Sequence, residues 1–189
     1  DAVFSVGGLN SGSFTVEAGQ TLAGNGTVEL GASDLNVAGS IAPGLSVGTL
    51  TVDLGSGQLL FEPDGELDYE LGTPGFPGES DLIRIVDYTL GDVVFDNTVV
   101  NLTSLVSITQ VAPYRYRIFE FFEGDGTTRV AHGLTSGLIA NPDFMQSQYA
   151  FFDYNALGGT AIDLVIPEPA SLGVLALGGL LGLRRRRRE

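Results

Sequence analysis

The chain of 189 residues contains no cysteine, no lysine and no tryptophan, and it has a single histidine, His132. Without cysteine there can be no disulfide framework, no thiolate zinc site and no cysteine nucleophile. Zinc catalysis through imidazoles needs two or three histidines, so that class is excluded as well. His132 could join Ser136 and an acid in a hydrolytic triad, but a lone histidine in the sequence RVAHG is more typical of a loop or capping residue. We therefore expect no enzymatic activity.

Positive charge is scarce and unevenly placed. The formal net charge is -14, and five of the nine arginines form the run 184–188. Ahead of Ala170 there are 22 acidic residues against four arginines, which gives that part a net charge of -18. Nucleic-acid binding requires cations that replace phosphate counterions, so nucleic acid is excluded as a partner. An acidic body suits solubility outside a cell, contact with cations, or a basic partner.

A leader for export is also missing from the given sequence. The chain begins at Asp1, and no basic segment followed by an apolar one comes after it. Since an exported protein needs such a segment, we expect either that it has been removed or that the sequence is the C-terminal piece of a longer chain.

Glycine is abundant, at 27 of 189 residues, well above the average of about 7%. Between residues 13 and 102 it separates short runs rich in β-branched and aromatic residues, several of which alternate apolar with polar positions as half-buried strands do. No sustained helical period occurs before Ala170. The sequence therefore predicts an all-β body, with strands at 13–16, 26–30, 34–37, 48–52, 58–61, 66–71, 81–86 and 99–102.

The short strands favour a stacked solenoid, in which the strands of each rung pair along their edges with those of the next rung. The segment 39–52, GSIAPGLSVGTLTV, resembles the repeats of autotransporter passenger domains. That resemblance spans about residues 7–102 and implies a right-handed parallel β-helix. The rungs are irregular, because the valines taken as equivalent, Val16, Val37 and Val52, are 21 and 15 residues apart. A plain β-sandwich remains the alternative.

The stretch from 104 to 165 is richer in aromatic residues, with longer runs at 114–122, 149–154 and 161–165. We expect antiparallel strands that cap the solenoid and cover its open edge. Arg115 and Arg117 should share one face with neighbouring Tyr and Phe residues, either as solvated arginines or as a sugar-binding platform. The predicted organisation is thus a solenoid over 1–103, a β cap over 104–165 and a C-terminal signal over 166–189.

The C-terminal segment combines three ordered features. Pro167 and Pro169 hold their predecessors out of the helical region, so the tripeptide with Glu168 is predicted to be extended and exposed. Residues 170–183 then carry no charge, and as a helix they would reach about 21 Å against about 30 Å of bilayer hydrocarbon. Terminal arginines favour the cytoplasmic side. The predicted short transmembrane helix comprises Ala170, Leu172, Leu175, Leu177, Leu180, Leu181 and Leu183, and the cytoplasmic anchor comprises Arg184, Arg185, Arg186, Arg187 and Arg188.

This combination resembles the PEP-CTERM sorting domain. The resemblance implies that an exosortase, a membrane-embedded cysteine transpeptidase, recognises Pro167, Glu168 and Pro169 and severs the tail. It also implies a Gram-negative bacterium that makes extracellular polysaccharide, with a precursor tethered to the inner membrane and a mature protein in the envelope or outside the cell. The alternative is an ordinary tail anchor.

Carboxylates alternate along 62–70, so Glu66, Asp68 and Glu70 should point to one side of a strand. Such a face could bind Ca²⁺ or could be a solvated surface, and no other cofactor is expected. Paired acids are also the catalytic groups of a glycosidase. A lyase that acts on uronates is a separate case, and it would need more basic residues than this body holds. The first hypothesis is a structural or adhesive surface protein. The second is a carbohydrate-binding or polysaccharide-active protein on the same scaffold.

Overall fold

The computed structural model describes residues 2–9, 12–73, 78–105, 114–141 and 150–167. Within these ranges the chain forms strands and turns without an α-helix, which confirms the all-β prediction. No helix in this described part could cross a membrane, and the predicted span at 170–183 lies outside it. The strands are β1 (Ala2–Ser5), β2 (Ser13–Val16), β3 (Thr21–Gly24), β4 (Gly26–Glu29), β5 (Asp34–Val37), β6 (Ser40–Pro43), β7 (Thr49–Asp53), β8 (Leu59–Phe61), β9 (Glu66–Leu71), β10 (Leu82–Val86), β11 (Val93–Phe95), β12 (Thr98–Ser104), β13 (Tyr114–Phe121), β14 (Leu138–Ala140), β15 (Phe151–Ala156) and β16 (Ala161–Ile166).

The strands belong to three sheets, which the chain visits in rotation. The first sheet has the order β1-β4-β7-β10-β13-β16-β15, the second β11-β8-β5-β2, and the third β14-β12-β9-β6-β3. From β1 to β13 each strand lies in the sheet after that of its predecessor, and we call one passage through the three sheets a round. Neighbours in this part pair in parallel. Parallel pairing rules out the antiparallel β-sandwich that the sequence left open.

The register shows how far the rounds repeat. In the first sheet Leu50 pairs with Gly26 on one side and with Ile83 on the other, so successive rounds advance by 24 and then 33 residues. Val16 and Val37 are register partners, as expected. The predicted equivalence of Val52 to them is wrong, because Val52 lies in the first sheet. The irregular spacing arises because rounds lengthen at their turns while strand positions stay in register.

Side chains in register form columns that fill the space between the sheets. In the first sheet one column runs Val28, Val52, Ile85 and Phe121, each at most 2% exposed. Since successive residues of a strand point to opposite faces, every second residue joins such a column. Burying one of these side chains contributes roughly 1.5–3 kcal/mol. The columns therefore supply most of the stabilisation that holds one round on the next.

Parallel pairing gives way to antiparallel pairing at β13. This strand pairs in parallel with β10 and antiparallel with β16, which pairs antiparallel with β15. The predicted antiparallel pairing is thus confirmed between β13 and β16 and between β16 and β15. It is wrong between β13 and β10, which are parallel. At Ile118 the ladder between β13 and β16 shifts register, and the buried Tyr69 hydroxyl donates a hydrogen bond to the Ile118 carbonyl. Burial raises the pKa of Tyr69 above its usual value.

Close backbone contact at the corners explains part of the glycine content. Gly39 lies between β5 and β6, where a Cβ atom would stand 2.3 Å from the carbonyl oxygen of Gln20 and 2.4 Å from that of Glu17. Those two carbonyls belong to the corresponding turn of the preceding round. Only glycine lets the two turns stack at this distance.

Replacing Gly39 by alanine should therefore destabilise the fold by about 1–3 kcal/mol, the usual range for overpacking a tight site. The matched control is Gly8→Ala, because a Cβ atom there would meet nothing within 4 Å; it should change the free energy of unfolding by less than about 0.5 kcal/mol. Urea denaturation of both variants measures the effect. Equal stability of the two variants would contradict the stacked-turn description.

Candidate functional site

A cavity of about 530 Å³ with several charged residues in its lining opens on the outer side of the first sheet, and we call it the arginine cleft. Inward-facing Tyr116 and Ile118 alternate along β13 with Arg115 and Arg117, so both arginines project outward. Arg115 and Arg117 thus share one face, as predicted, but the prediction that neighbouring aromatic residues share it is wrong for Tyr116, which faces inward. Lining residues include Asp81, Arg115, Tyr116, Arg117, Glu120, Arg129 and Asp163.

Three arginines and three carboxylates interlock in the cleft and beside it. Arg115 Nη1 lies 2.8 Å from Asp153 Oδ2 and 3.5 Å from Asp163 Oδ2. Arg117 bonds Asp163 and Glu120, and Arg129 also bonds Glu120. The Arg115 guanidinium holds the pKa of Asp153 below its usual range. Because the side chains of Asp163 and Glu120 are only 6% and 12% exposed, removing their partners would leave nearly buried charges uncompensated.

Tyr116 adds an unused polar group. Its hydroxyl is buried and has no hydrogen-bond partner in the described part of the chain. Burial is the main reason that the pKa of this phenol rises to about 12, so the group is a neutral hydroxyl. Buried polar atoms are nearly always paired. Because Tyr116 faces inward, its hydroxyl is, among the described residues, an unpaired polar group of the core and not a contact for a ligand in the cleft.

Asp81 closes the corner between the third sheet and the first. Its Oδ1 accepts a hydrogen bond from the Gly48 amide at 2.9 Å, and its Oδ2 accepts one from the Glu70 amide at 2.7 Å. The residue is 2% exposed. Burial raises the pKa of Asp81 to about 6, and the nearby Glu70 carboxylate acts in the same direction, while the two amides oppose it. Asp81 is thus a buried acid that joins two sheets.

The predicted acidic face exists on β9, but two of its three carboxylates are hydrogen-bonded to a neighbouring side chain. Glu66, Asp68 and Glu70 alternate with buried residues along β9. Asn101 Nδ2 donates to Glu66 at 2.8 Å and to Asp68 at 3.0 Å, whereas Glu70 Oε2 is buried without a hydrogen bond. Within the described ranges no three acidic or histidine side chains are grouped as a metal site would need. Calcium binding stays a prediction.

His132 has a structural position. It is 1% exposed, its Nδ1 accepts a hydrogen bond from the Leu134 amide at 2.9 Å, and its Nε2 lies 3.2 Å from the Ala161 carbonyl oxygen. Nε2 must then carry the proton, and burial lowers the pKa of the ring. Both nitrogens are thus engaged with the main chain, and neither is free to activate Ser136.

One motif escaped the sequence analysis. Residues 44–48 read G-x-S-x-G with Ser46 in the nucleophile position. A hydrolase nucleophile of this type requires a turn from a strand into a helix, but this segment leads from β6 to β7. Residues 44–48 therefore form a turn between two sheets and not a nucleophile site.

The sequence analysis also did not predict the arginine cleft, because its charged residues come from distant parts of the sequence.

The sorting tripeptide begins directly after β16. Ile166, the last residue of β16, is 1% exposed and pairs with Tyr114, and Pro167 follows it directly. The other predicted tail residues, from Glu168 through the span to Arg188, lie outside the described residues. No linker therefore separates the sheet from the tripeptide.

Comparison with protein families finds the PEP-CTERM protein-sorting motif at residues 165–188. The motif implies recognition by an exosortase-type membrane enzyme, export, and a membrane-anchored precursor that is processed to the cell surface. No curated protein matches the chain. The resemblance of the body to autotransporter repeats consequently stays a prediction.

The elevated pKa of Asp81 predicts how stability depends on pH. The folded state binds this proton more tightly than the unfolded chain, so its contribution is present below about pH 4 and is lost as the pH rises through 6. Between pH 5 and pH 8 the free energy of unfolding of the wild type, relative to Asp81→Asn, should fall by about 1–2 kcal/mol. Chemical denaturation at both pH values measures this difference. Glu17→Gln at an exposed site controls for the loss of one charge. If the free energy of unfolding of the wild type, relative to Glu17→Gln, falls by the same amount between pH 5 and pH 8, the pH dependence does not come from Asp81.

Proposed function

We propose that the protein is a structural or adhesive component of the bacterial envelope or extracellular matrix, delivered by exosortase-type processing. The observation that carries this proposal is the sorting motif, which starts within the last strand of a folded and strongly acidic body. In this proposal the tail tethers the precursor to the inner membrane of a Gram-negative cell. Removal of the tail then leaves a soluble or surface-attached β-rich body.

We further propose that the rounds form a right-handed parallel β-helix. The cyclic order of the strands, their parallel pairing and the columns of buried side chains support this architecture. Strands hydrogen-bonded to the rounds before and after make the body rigid. A rigid body suits a scaffolding or adhesive role, which needs a durable surface.

A non-enzymatic role fits the chemistry of the described residues. His132 is held by the main chain on both nitrogens, and Ser46 lies in a turn between strands. Each acid beside the arginine cleft is ion-paired or bonded to the main chain. We therefore propose a protein that acts by presenting a surface.

A second candidate function is carbohydrate binding in the arginine cleft. A sugar hydroxyl both donates and accepts hydrogen bonds, and the cleft offers guanidinium donors and carboxylate acceptors. Its volume of about 530 Å³ falls within the usual 300–1,000 Å³ of ligand pockets. An extracellular polysaccharide would supply such hydroxyls.

Replacing Glu168 by alanine tests the sorting proposal. This change removes the only charged group of the recognition tripeptide, so the variant should accumulate as the uncut precursor in the membrane fraction. The measurement is the intact mass and membrane partition of both proteins in a host that carries an exosortase. Glu17→Ala is the matched control and should be processed like the wild type. A wild type that keeps its arginines and fractionates like the Glu168 variant would sink the proposal.

Replacing Arg129 by glutamine tests the second candidate. Arg129 lines the cleft and is 42% exposed, so its loss should weaken polysaccharide binding about tenfold, the effect of one charge-assisted hydrogen bond. Affinity electrophoresis of the full chain in gels containing hydroxyethyl cellulose or alginate measures binding. Arg84→Gln is the control, because Arg84 bonds the Gly126 carbonyl and does not line the cavity. Equal retention of both variants would reject carbohydrate binding at this site.

A further inference from the structure

The shortness of the connection between the sheet and the apolar tail has a consequence for the precursor. Ile166 ends β16 within the sheet, and the uncharged run begins at Ala170. Whatever conformation the three intervening residues take, the four steps from Ile166 to Ala170 span at most about 14 Å. A tail anchored in the bilayer therefore holds this end of the body against the lipid surface.

The residues at that end suit a membrane interface. Val165 pairs with Arg115 on one side and with Phe151 on the other, and residues directly opposite in antiparallel strands lie on the same face. The three form a row across β13, β16 and β15, which we call the exit row. Phe151 is 48% exposed and the Arg115 side chain is 55% exposed. Val165 between them is 6% exposed, so the row presents to its surroundings an aromatic ring and a cation, one residue before the sheet ends.

Charge supports the same orientation. Most of the body is acidic and would be repelled by a surface of anionic lipids. Next to the exit row, however, Arg115, Arg117 and Arg129 are matched by Asp153, Asp163 and Glu120. Among the described residues, these six charges cancel. Net repulsion from anionic headgroups is therefore weaker here than for the strongly acidic remainder of the body.

We infer that in the membrane-anchored precursor the exit row rests on the bilayer surface, with Phe151 at headgroup level and Arg115 within reach of lipid phosphates. This inference rests on the proposed processing route. It gives the precursor a fixed orientation, in which the end of β16 that precedes the tripeptide lies at the membrane surface. The exosortase would then cut a site presented by a folded sheet, and cleavage would release the exit row from the lipid.

The absence of tryptophan makes a single reporter possible. Full-length Phe151→Trp is reconstituted into phosphatidylcholine–phosphatidylglycerol vesicles with or without a dibrominated phosphatidylcholine. The indole emission of this variant should shift to the blue and lose intensity with the brominated lipid. The control is Leu45→Trp at a position 94% exposed in the β6–β7 turn, which should show neither change. Asn155→Trp, further from the exit on β15, should be quenched less than Phe151→Trp.

Flotation separates failure of this inference from failure of the proposed function. If the protein does not float with the vesicles, the membrane-anchored precursor is refuted, and the inference falls with it. If it floats and the emission of Phe151→Trp behaves like that of Leu45→Trp, the exit row does not touch lipid, while the anchoring stands. Circular dichroism checks the strand content of each variant. Phe151→Cys, which introduces a single thiol for an environment-sensitive label, repeats the measurement if the indole at position 151 perturbs folding.

Discussion

The structure depends on register between strands one round apart. A strand such as β7 has its backbone groups bonded to β4 before it and β10 after it, and its inward side chains touch the same neighbours. A shift of one residue would turn a column of buried side chains to the solvent face. Register is therefore fixed by hydrophobic burial, and the turns absorb differences in length between rounds.

Hydrogen bonds and ion pairs of side chains at the corners and edges also hold the strands together, in addition to the buried columns. Asn25 Oδ1 accepts a hydrogen bond from the Thr49 amide, and Asp81 binds two further amides at the same corner. At the C-terminal end, the ion pairs of Arg115 and Arg117 hold β13, β16 and β15 together. Three of the four arginines of the body thus pair with acids, among them the nearly buried Asp163 and Glu120. The same placement produces both the arginine cleft and the balanced charges near the tail.

Sequence patterns predicted the strands with clear alternation and a sharp turn on each side. The predicted bounds of β2, β5 and β9 agree with the structure. Five strands were not predicted: β1, β3, β6, β11 and β14. Of these, β3 ends in Gly24 and β6 in Pro43, and β11 and β14 have only three residues each. Pairing partners were also hard to infer, since rounds of 24 and 33 residues have no fixed period. The cleft depends on contacts such as Arg117 with Asp163, which no local pattern reveals.

The tail was predictable because its signal is local: a proline pair, an uncharged run and an arginine cluster in order. Whether the tail is removed can be measured as the intact mass of the protein isolated from its native envelope. We expect a mature chain that lacks residues 170–189, with its formal charge moved from -14 to about -18. A mass that still includes the five terminal arginines would contradict this expectation.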